Sequence, residues 1–91
     1  VIRSFANKDT LRLFEQQHVR RFHSIERVAL RRLLLLSQAR SLHDLKGPGF
    51  ELEALKGRRK GQHSIRISDQ WRVCFVWRAG DAFDVEVTDY H

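Results

Sequence analysis

The chain has 91 residues, 42% of them hydrophobic, and a formal charge of +6, with a sequence pI near 10.4. That length makes one domain, residues 1–91, with one modest core. A lone cysteine, Cys74, excludes an internal disulfide framework and a multi-cysteine zinc site. No apolar run is long enough to span a membrane and no signal-peptide core opens the chain, so the expected location is cytoplasmic. The chain opens on Val1, contains no methionine, and is read as starting there.

Ile2 to Phe5 reads as a short first strand. Asn7 or Asp9 can cap a helix from about residue 8, with Leu11, Phe14 and Leu13 on its inner side. Residues 18 to 23 break that pattern. Ser24 is placed to cap a second, stronger helix to about Ser37, in which Ile25, Val28, Ala29, Leu33 and Leu36 recur at helical spacing. Arg20, Arg27 and Arg31 lie off that stripe and read first as a solvated face, with an RNA or protein contact as the second choice. Ser41 can cap one further turn before Gly47-Pro48-Gly49, the clearest loop signal in the chain.

After residue 50 the apolar period becomes two. Phe50, Leu52 and Ala54 alternate, as do His63, Ile65 and Ile67, then Trp71, Val73, Phe75 and Trp77, then Phe83, Val85 and Val87. Successive strands joined by short polar loops form an antiparallel meander. Helices first and strands afterwards make the fold class α+β, with the helices on one face of the sheet.

Register follows from requiring apolar to oppose apolar. Ile67 against Trp71 leaves the loop Ser68-Asp69-Gln70 and sets Ile65 against Val73 and Arg66 against Arg72. Trp77 against Phe83 leaves the loop Ala79-Gly80-Asp81 and sets Thr88 against Arg72. Odd-numbered residues then face the helices, and Arg66 and Arg72 oppose each other on the other face. Such a like-charge pair is destabilising unless something anionic lies nearby. Asp84 or Glu86 on the next strand is one source of such charge; a bound phosphate is the other.

The charge is uneven. Residues 56 to 78 hold seven Lys/Arg against one acid, whereas residues 79 to 91 hold four acids and no Lys or Arg. A polyanionic partner is the leading inference from the basic excess. Asp89, Tyr90 and His91 put three proton-handling side chains together at the end of the last strand, which suggests acid–base chemistry beside bound phosphate. Cys74 in the apolar run Val73-Cys74-Phe75-Val76 reads as a packed thiol rather than a nucleophile. Glu53, His63 and His91 match no recognised metal-ligand spacing, so no metal is expected. His18, His23 and His43 read as surface residues.

Specific blocks of this sequence carry a family resemblance: Ile2-Arg3-Ser4-Phe5, Leu55-Lys56-Gly57, Gly61 leading to Ser64-Ile65-Arg66, Gln70-Trp71-Arg72-Val73 with Phe75, Gly80-Asp81-Ala82, and Asp89-Tyr90-His91. Along nearly its whole length the chain resembles the HigB-type toxins of the RelE superfamily. The resemblance implies a compact RelE-like α+β toxin that enters the ribosomal A site of the 70S ribosome and cuts mRNA there. It implies a HigA-like helix-turn-helix antitoxin as partner, with operator DNA reached only through that antitoxin. No cofactor is implied. Two departures stand out: Glu53 occupies the place of a histidine common in the family, and Gln62 and His63 replace aromatics.

RNA is cleaved when a 2′-hydroxyl attacks the adjacent phosphate, which requires removing one proton, stabilising a crowded phosphorane and protonating the leaving 5′-oxygen. His91 suits either proton transfer. Arg72 offers a bidentate fork and Lys56 a point charge to phosphate oxygens. Asp89 suits orienting an imidazole or Arg72, Tyr90 donating to phosphate or stacking on a base, and Glu53 acting as base. Arg66, Arg58, Arg59, Lys60 and His63 complete the candidate RNA-binding set. Lys56 lies about 15 Å from the tail along the third strand at ~3.3 Å per residue. The site is therefore either a groove crossing the sheet or is closed by the tail or the 56–61 loop folding back. The competing functions are a non-catalytic RNA- or ribosome-binding module and an antitoxin-binding subunit that tunes repression.

Overall fold

The computed structural model describes residues 1–90. Two helices, α1 (Lys8–Phe14) and α2 (Glu26–Gln38), precede four strands, β1 (Glu53–Ala54), β2 (His63–Arg66), β3 (Trp71–Arg78) and β4 (Asp81–Asp89). The strands form one antiparallel sheet in the order β1-β2-β3-β4. Helices and one sheet face enclose the core of Phe22, Leu33, Leu36, Ile65, Val73, Phe75, Val85 and Val87, all fully buried. Each such side chain contributes roughly 1.5–3 kcal/mol relative to exposure. This is the α+β arrangement expected from the switch of hydrophobic period.

The Asn7 side chain caps α1 by accepting from the Thr10 amide at 2.9 Å. The inward residues of α1 differ from expectation: Leu11 is exposed, while Leu13 and Thr10 are buried. Thr10 goes inside because its hydroxyl accepts from the Val87 amide at 3.1 Å, which ties α1 to β4. Ser24 does not cap α2. Phe22 and Ile25 are drawn into the core, the chain winds a 3-10 helix over Arg20–Ile25, and α2 starts from Ile25 with no side-chain cap. Its stripe of Ala29, Leu33 and Leu36 is buried as expected. A second 3-10 turn, Leu42–Leu45, follows Ser41, and the Asp44 carboxylate accepts from the Arg40 and Ser41 amides.

The first segment lies parallel to β4 but is not a continuous strand. It is joined by isolated bridges at Ile2–Ala82 and Phe5–Val85. The gap falls at Asp84, whose φ of 51° turns its amide to the Ser4 hydroxyl at 2.9 Å.

The β2–β3 register is the expected one, with Ile65 opposite Val73 and Arg66 opposite Arg72. Arg72 opposite Thr88 also holds, but the β3–β4 hairpin end is shifted by one. Trp77 pairs with Ala82 and Val76 with Phe83, because a β-bulge lies between Cys74 and Val76. Asp84 and Val85 there stand against Phe75 alone, the two-against-one count of a bulge. The turn is consequently two residues, Ala79 (φ 52°) and Gly80 (φ 83°), both left-handed as a tight hairpin favours. The strand expected over Phe50 to Ala54 shrinks to Glu53–Ala54, since Glu51 has φ 44° and kinks the approach.

Candidate RNA-binding site on the outer sheet face

The sheet face turned away from the helices carries Glu53, Ser64, Arg66, Arg72, Cys74, Glu86 and Thr88, placed together by the pairings of β1 to β4. Alternation puts these side chains on one side while Ile65, Val73 and Val87 fill the core on the other.

Arg72 is the fixed point. Its side chain is only 13% exposed. Its Nε donates to the buried Ser64 hydroxyl at 2.7 Å and its Nη2 donates to the Glu51 carbonyl. Glu53 approaches the same nitrogen at 3.6 Å. Arg66, directly across, pairs with Glu51 at 3.0 Å and with Asp69. The anionic charge demanded by the opposed arginines therefore comes from Glu51, Glu53 and Asp69. The expectation of Asp84 or Glu86 is corrected: Asp84 accepts from Ser4, and Glu86 pairs with Arg59 at 3.2 Å. The strand bulge turns Asp84 away, and the 57–62 segment brings Arg59 to Glu86 first.

That ion pair also fixes how the basic loop lies. Residues Gly57–Arg59 form a 3-10 turn, and Arg59, held by Gln62 at 3.0 Å, reaches across to β4. The loop thus bends over the outer face instead of standing clear of its far edge. Lys56, Arg58 and Lys60 are exposed on it. Beneath it sit Leu55 and Cys74, both buried. Burial pushes the Cys74 thiol up, with Glu86 and Glu53 adding to the effect against Arg59 and Arg72. A protonated buried thiol is a packing group, as its apolar strand suggests.

Other expected residues are not brought to this cluster. His63 pairs with Phe75 and stacks on it at 6.2 Å on the helix-facing side. Its Nδ1 is buried with no hydrogen-bond partner among the described residues. Glu53 and His63 therefore face opposite ways, which splits the Glu53–His63–His91 combination. Asp89 pairs with Trp71, again on the helix-facing side, and accepts from the Gln70 side chain at 2.8 Å. Tyr90 continues the ladder, its amide donating to the Gln70 carbonyl at 3.0 Å, next to the Arg72–Thr88 pair. His91 lies outside the described residues.

Sequence reading misses three members of the cluster. Ser64 reads only as a face residue, Asp69 only as a loop residue, and Glu51 carries no signal of its own. What points to them is the Arg66–Arg72 opposition, which requires nearby anions. Arg32 is missed as well: its Nε donates to the Arg66 carbonyl at 2.8 Å and it lies over the Phe50 ring at 4.5 Å. Burial first, then Arg31 and Arg66, lowers its pKa.

The arrangement can hold an anion. Glu51 and Asp69 are 64% and 99% exposed. Exposed ion pairs are worth only ~0–1 kcal/mol, so a phosphate can replace them at Arg66. Arg72, by contrast, is pre-set by two hydrogen bonds with donors to spare, since a guanidinium has five.

This α+β domain, with Arg66 and Arg72 paired across its outer sheet face, is similar in sequence to a known class of proteins. A family model described as "RelE-like toxin of type II toxin-antitoxin system HigB" matches residues 3–91. The chain is 31% identical over 99 residues to "Endoribonuclease HigB" of Proteus vulgaris, covering 100% of both chains. It is 40% identical over 62 residues to "Toxin HigB-1" of Vibrio cholerae serotype O1, covering 67% of this chain and 65% of that one. The chain belongs to the HigB-like toxin family of type II toxin–antitoxin systems, and membership implies an antitoxin partner. Among the described residues, no helix is long and apolar enough to cross a membrane.

Proposed function

We propose that this chain is a ribosome-dependent endoribonuclease that cleaves mRNA in the A site and so stops translation. The observation that carries the proposal is the cross-strand pair Arg66–Arg72, with Arg72 oriented by Ser64 and Glu51 and with Glu53 beside it. The Proteus vulgaris relative, an endoribonuclease by name, adds the reaction class.

In this mechanism the scissile phosphate displaces Glu51 from Arg66 and sits against Arg66 and Arg72. The Arg72 fork takes non-bridging oxygens and strengthens its grip as the phosphorane gains charge. Glu53 or His91 removes the 2′-proton, and the other group or Tyr90 protonates the leaving 5′-oxygen. The products are a 2′,3′-cyclic phosphate and a 5′-hydroxyl. Lys56, with Arg58, Arg59 and Lys60 on the loop over the face, holds flanking phosphates. Asp89 acts at one remove, by fixing the tail through Gln70. No metal enters the scheme. The shallow face suits an enzyme whose substrate is positioned by the ribosome, so naked RNA should be a poor substrate. A HigA-like helix-turn-helix antitoxin would restrain it in the cytoplasm and carry it to operator DNA.

The test is primer extension on an mRNA in a reconstituted translation reaction with wild type, Arg72→Ala, His91→Ala and a chain lacking residues 89–91. New 5′ ends at A-site codons with wild type, lost in the variants, support the proposal. Equal cleavage of free RNA refutes ribosome dependence. Ribosome binding without new ends favours the second reading, a non-catalytic RNA-binding module, for which the specific observation is a glutamate, Glu53, held against Arg72.

A further inference from the structure

The helical layer carries a second cluster of donor groups with no part in the chemistry above. His18, His23 and Glu26 offer one ligand atom each, and these atoms all lie within 4.8 Å of one another. His18 Nδ1 is 3.6 Å from Glu26 Oε2, and the two imidazole rings meet edge to face with centroids 5.6 Å apart. We propose that these three residues bind a divalent transition-metal ion of the zinc type.

The backbone explains why the three converge. Between them, Val19, Phe22 and Ile25 are buried at 7%, 0% and 8% exposure. Phe22 packs edge-on against Trp71 at 5.6 Å. These buried anchors hold the 3-10 helix Arg20–Ile25 and the start of α2 in place, so His18, His23 and Glu26 emerge on the same outward side. All three donors come from one short stretch of chain, residues 18–26, so closing a chelate ring costs little chain entropy.

The chemistry fits zinc better than calcium or magnesium, since two imidazoles and one carboxylate are a borderline donor set. At metal–nitrogen distances of about 2.0–2.1 Å, donors around a tetrahedral ion lie about 3.3 Å apart. The side chains must close in modestly, and they are free to do so: His18 and Glu26 are 60% and 35% exposed. The surrounding positive charge is partly answered, because Asp9 forms ion pairs with both Arg12 at 3.8 Å and Arg21 at 3.7 Å. A fourth position stays open to water. The ion would staple the 3-10 helix to the first turn of α2, on the helical side of the sheet and away from Arg72.

The experiment uses tag-free, metal-depleted full chain, since a polyhistidine tag would supply its own ligands. Zn²⁺ is titrated against a chromophoric chelator, and Co²⁺ absorption reports the geometry. One ion per chain with a Kd at or below about 1 μM is expected. His23→Ala should weaken it at least tenfold, whereas His43→Ala, on a separate turn, should leave it unchanged. Saturating Zn²⁺ should also raise the melting temperature of wild type but not of folded His23→Ala. No binding, equal binding by His23→Ala, or equal loss in His43→Ala would overturn the proposal.

Discussion

Replacing Arg72 by lysine keeps the charge and removes the fork, so it isolates what geometry contributes. In the folded chain two N–H groups of Arg72 are committed, one to Ser64 and one to the Glu51 carbonyl. A guanidinium then has three left for phosphate, whereas a lysine ammonium has three in all, on one atom. The Arg72→Lys side chain cannot serve Ser64, Glu51 and a phosphate together, and should lose at least one oriented contact to the phosphorane. Losing such a donor costs about 2.7–4 kcal/mol, or roughly 10²–10³-fold in rate. The buried Ser64 hydroxyl also loses its donor, at about 1–3 kcal/mol. For a domain of this size that lowers Tm by roughly 4–24 °C. Cleavage would be followed by primer extension at a temperature below the variant's melting range, with Tm measured separately so that unfolding is not mistaken for lost chemistry. Ser64→Ala is the companion: a comparable fall in Tm, but only about a tenfold loss of rate, because the fork survives. A folded Arg72→Lys protein that cleaves as fast as wild type would refute the reasoning.

Three further outcomes follow from local geometry. Thr10→Val leaves the Val87 amide without its buried acceptor and should cost about 1–3 kcal/mol, read as a lower midpoint in thermal melts; Thr10→Ser should recover most of it. Ala79→Gly relieves a left-handed alanine at φ 52° and should raise Tm by about 2–8 °C, so a fall would count against the turn assignment. The Asp81 carboxyl is held below its ordinary value of 3.8 by hydrogen bonds from the Val1 amine and from Arg3. A depressed carboxylate stabilises the fold above its unfolded pKa, and that contribution is lost as pH falls through the folded value. The Tm gap between wild type and Asp81→Asn should accordingly close below pH 3.8, and a gap constant with pH would exclude the linkage.

The parts of this fold that can be read ahead are those fixed by a repeating pattern. Alternation alone places Ile65 against Val73, Arg66 against Arg72 and Arg72 against Thr88. It fails at Trp77 and Phe83 because a bulge adds a residue without changing composition, and nothing about Asp84 announces a positive φ. Ser24 has the chemistry of a cap, yet burial of Phe22 and Ile25 outweighs the preference of one side chain for a helix terminus. The same limit applies at the site. Strand pairing gathers Arg66 and Arg72, but the residues that restrain them come from an irregular approach at Glu51 whose path depends on tertiary contacts. His63 reads as an RNA-binding candidate from its basic neighbourhood, whereas its odd-numbered position already places it with Ile65 on the inner face.

The bridges from Ile2 and Phe5 to β4 impose an order on events during synthesis. The first residues of the chain find their partners some eighty positions later, as in the contact between Val1 and Asp81. Until residues 81–87 have been made, α1 lacks its Val87 anchor and the opening segment lacks its partners Ala82 and Val85. Contacts of such long sequence separation form late and fold slowly. A partial chain can wind α2 and the β2–β3 hairpin, but it cannot close the domain. A translating ribosome would therefore carry an open, inactive domain until β4 has emerged, and the folded toxin would appear only after that last strand is free to pair.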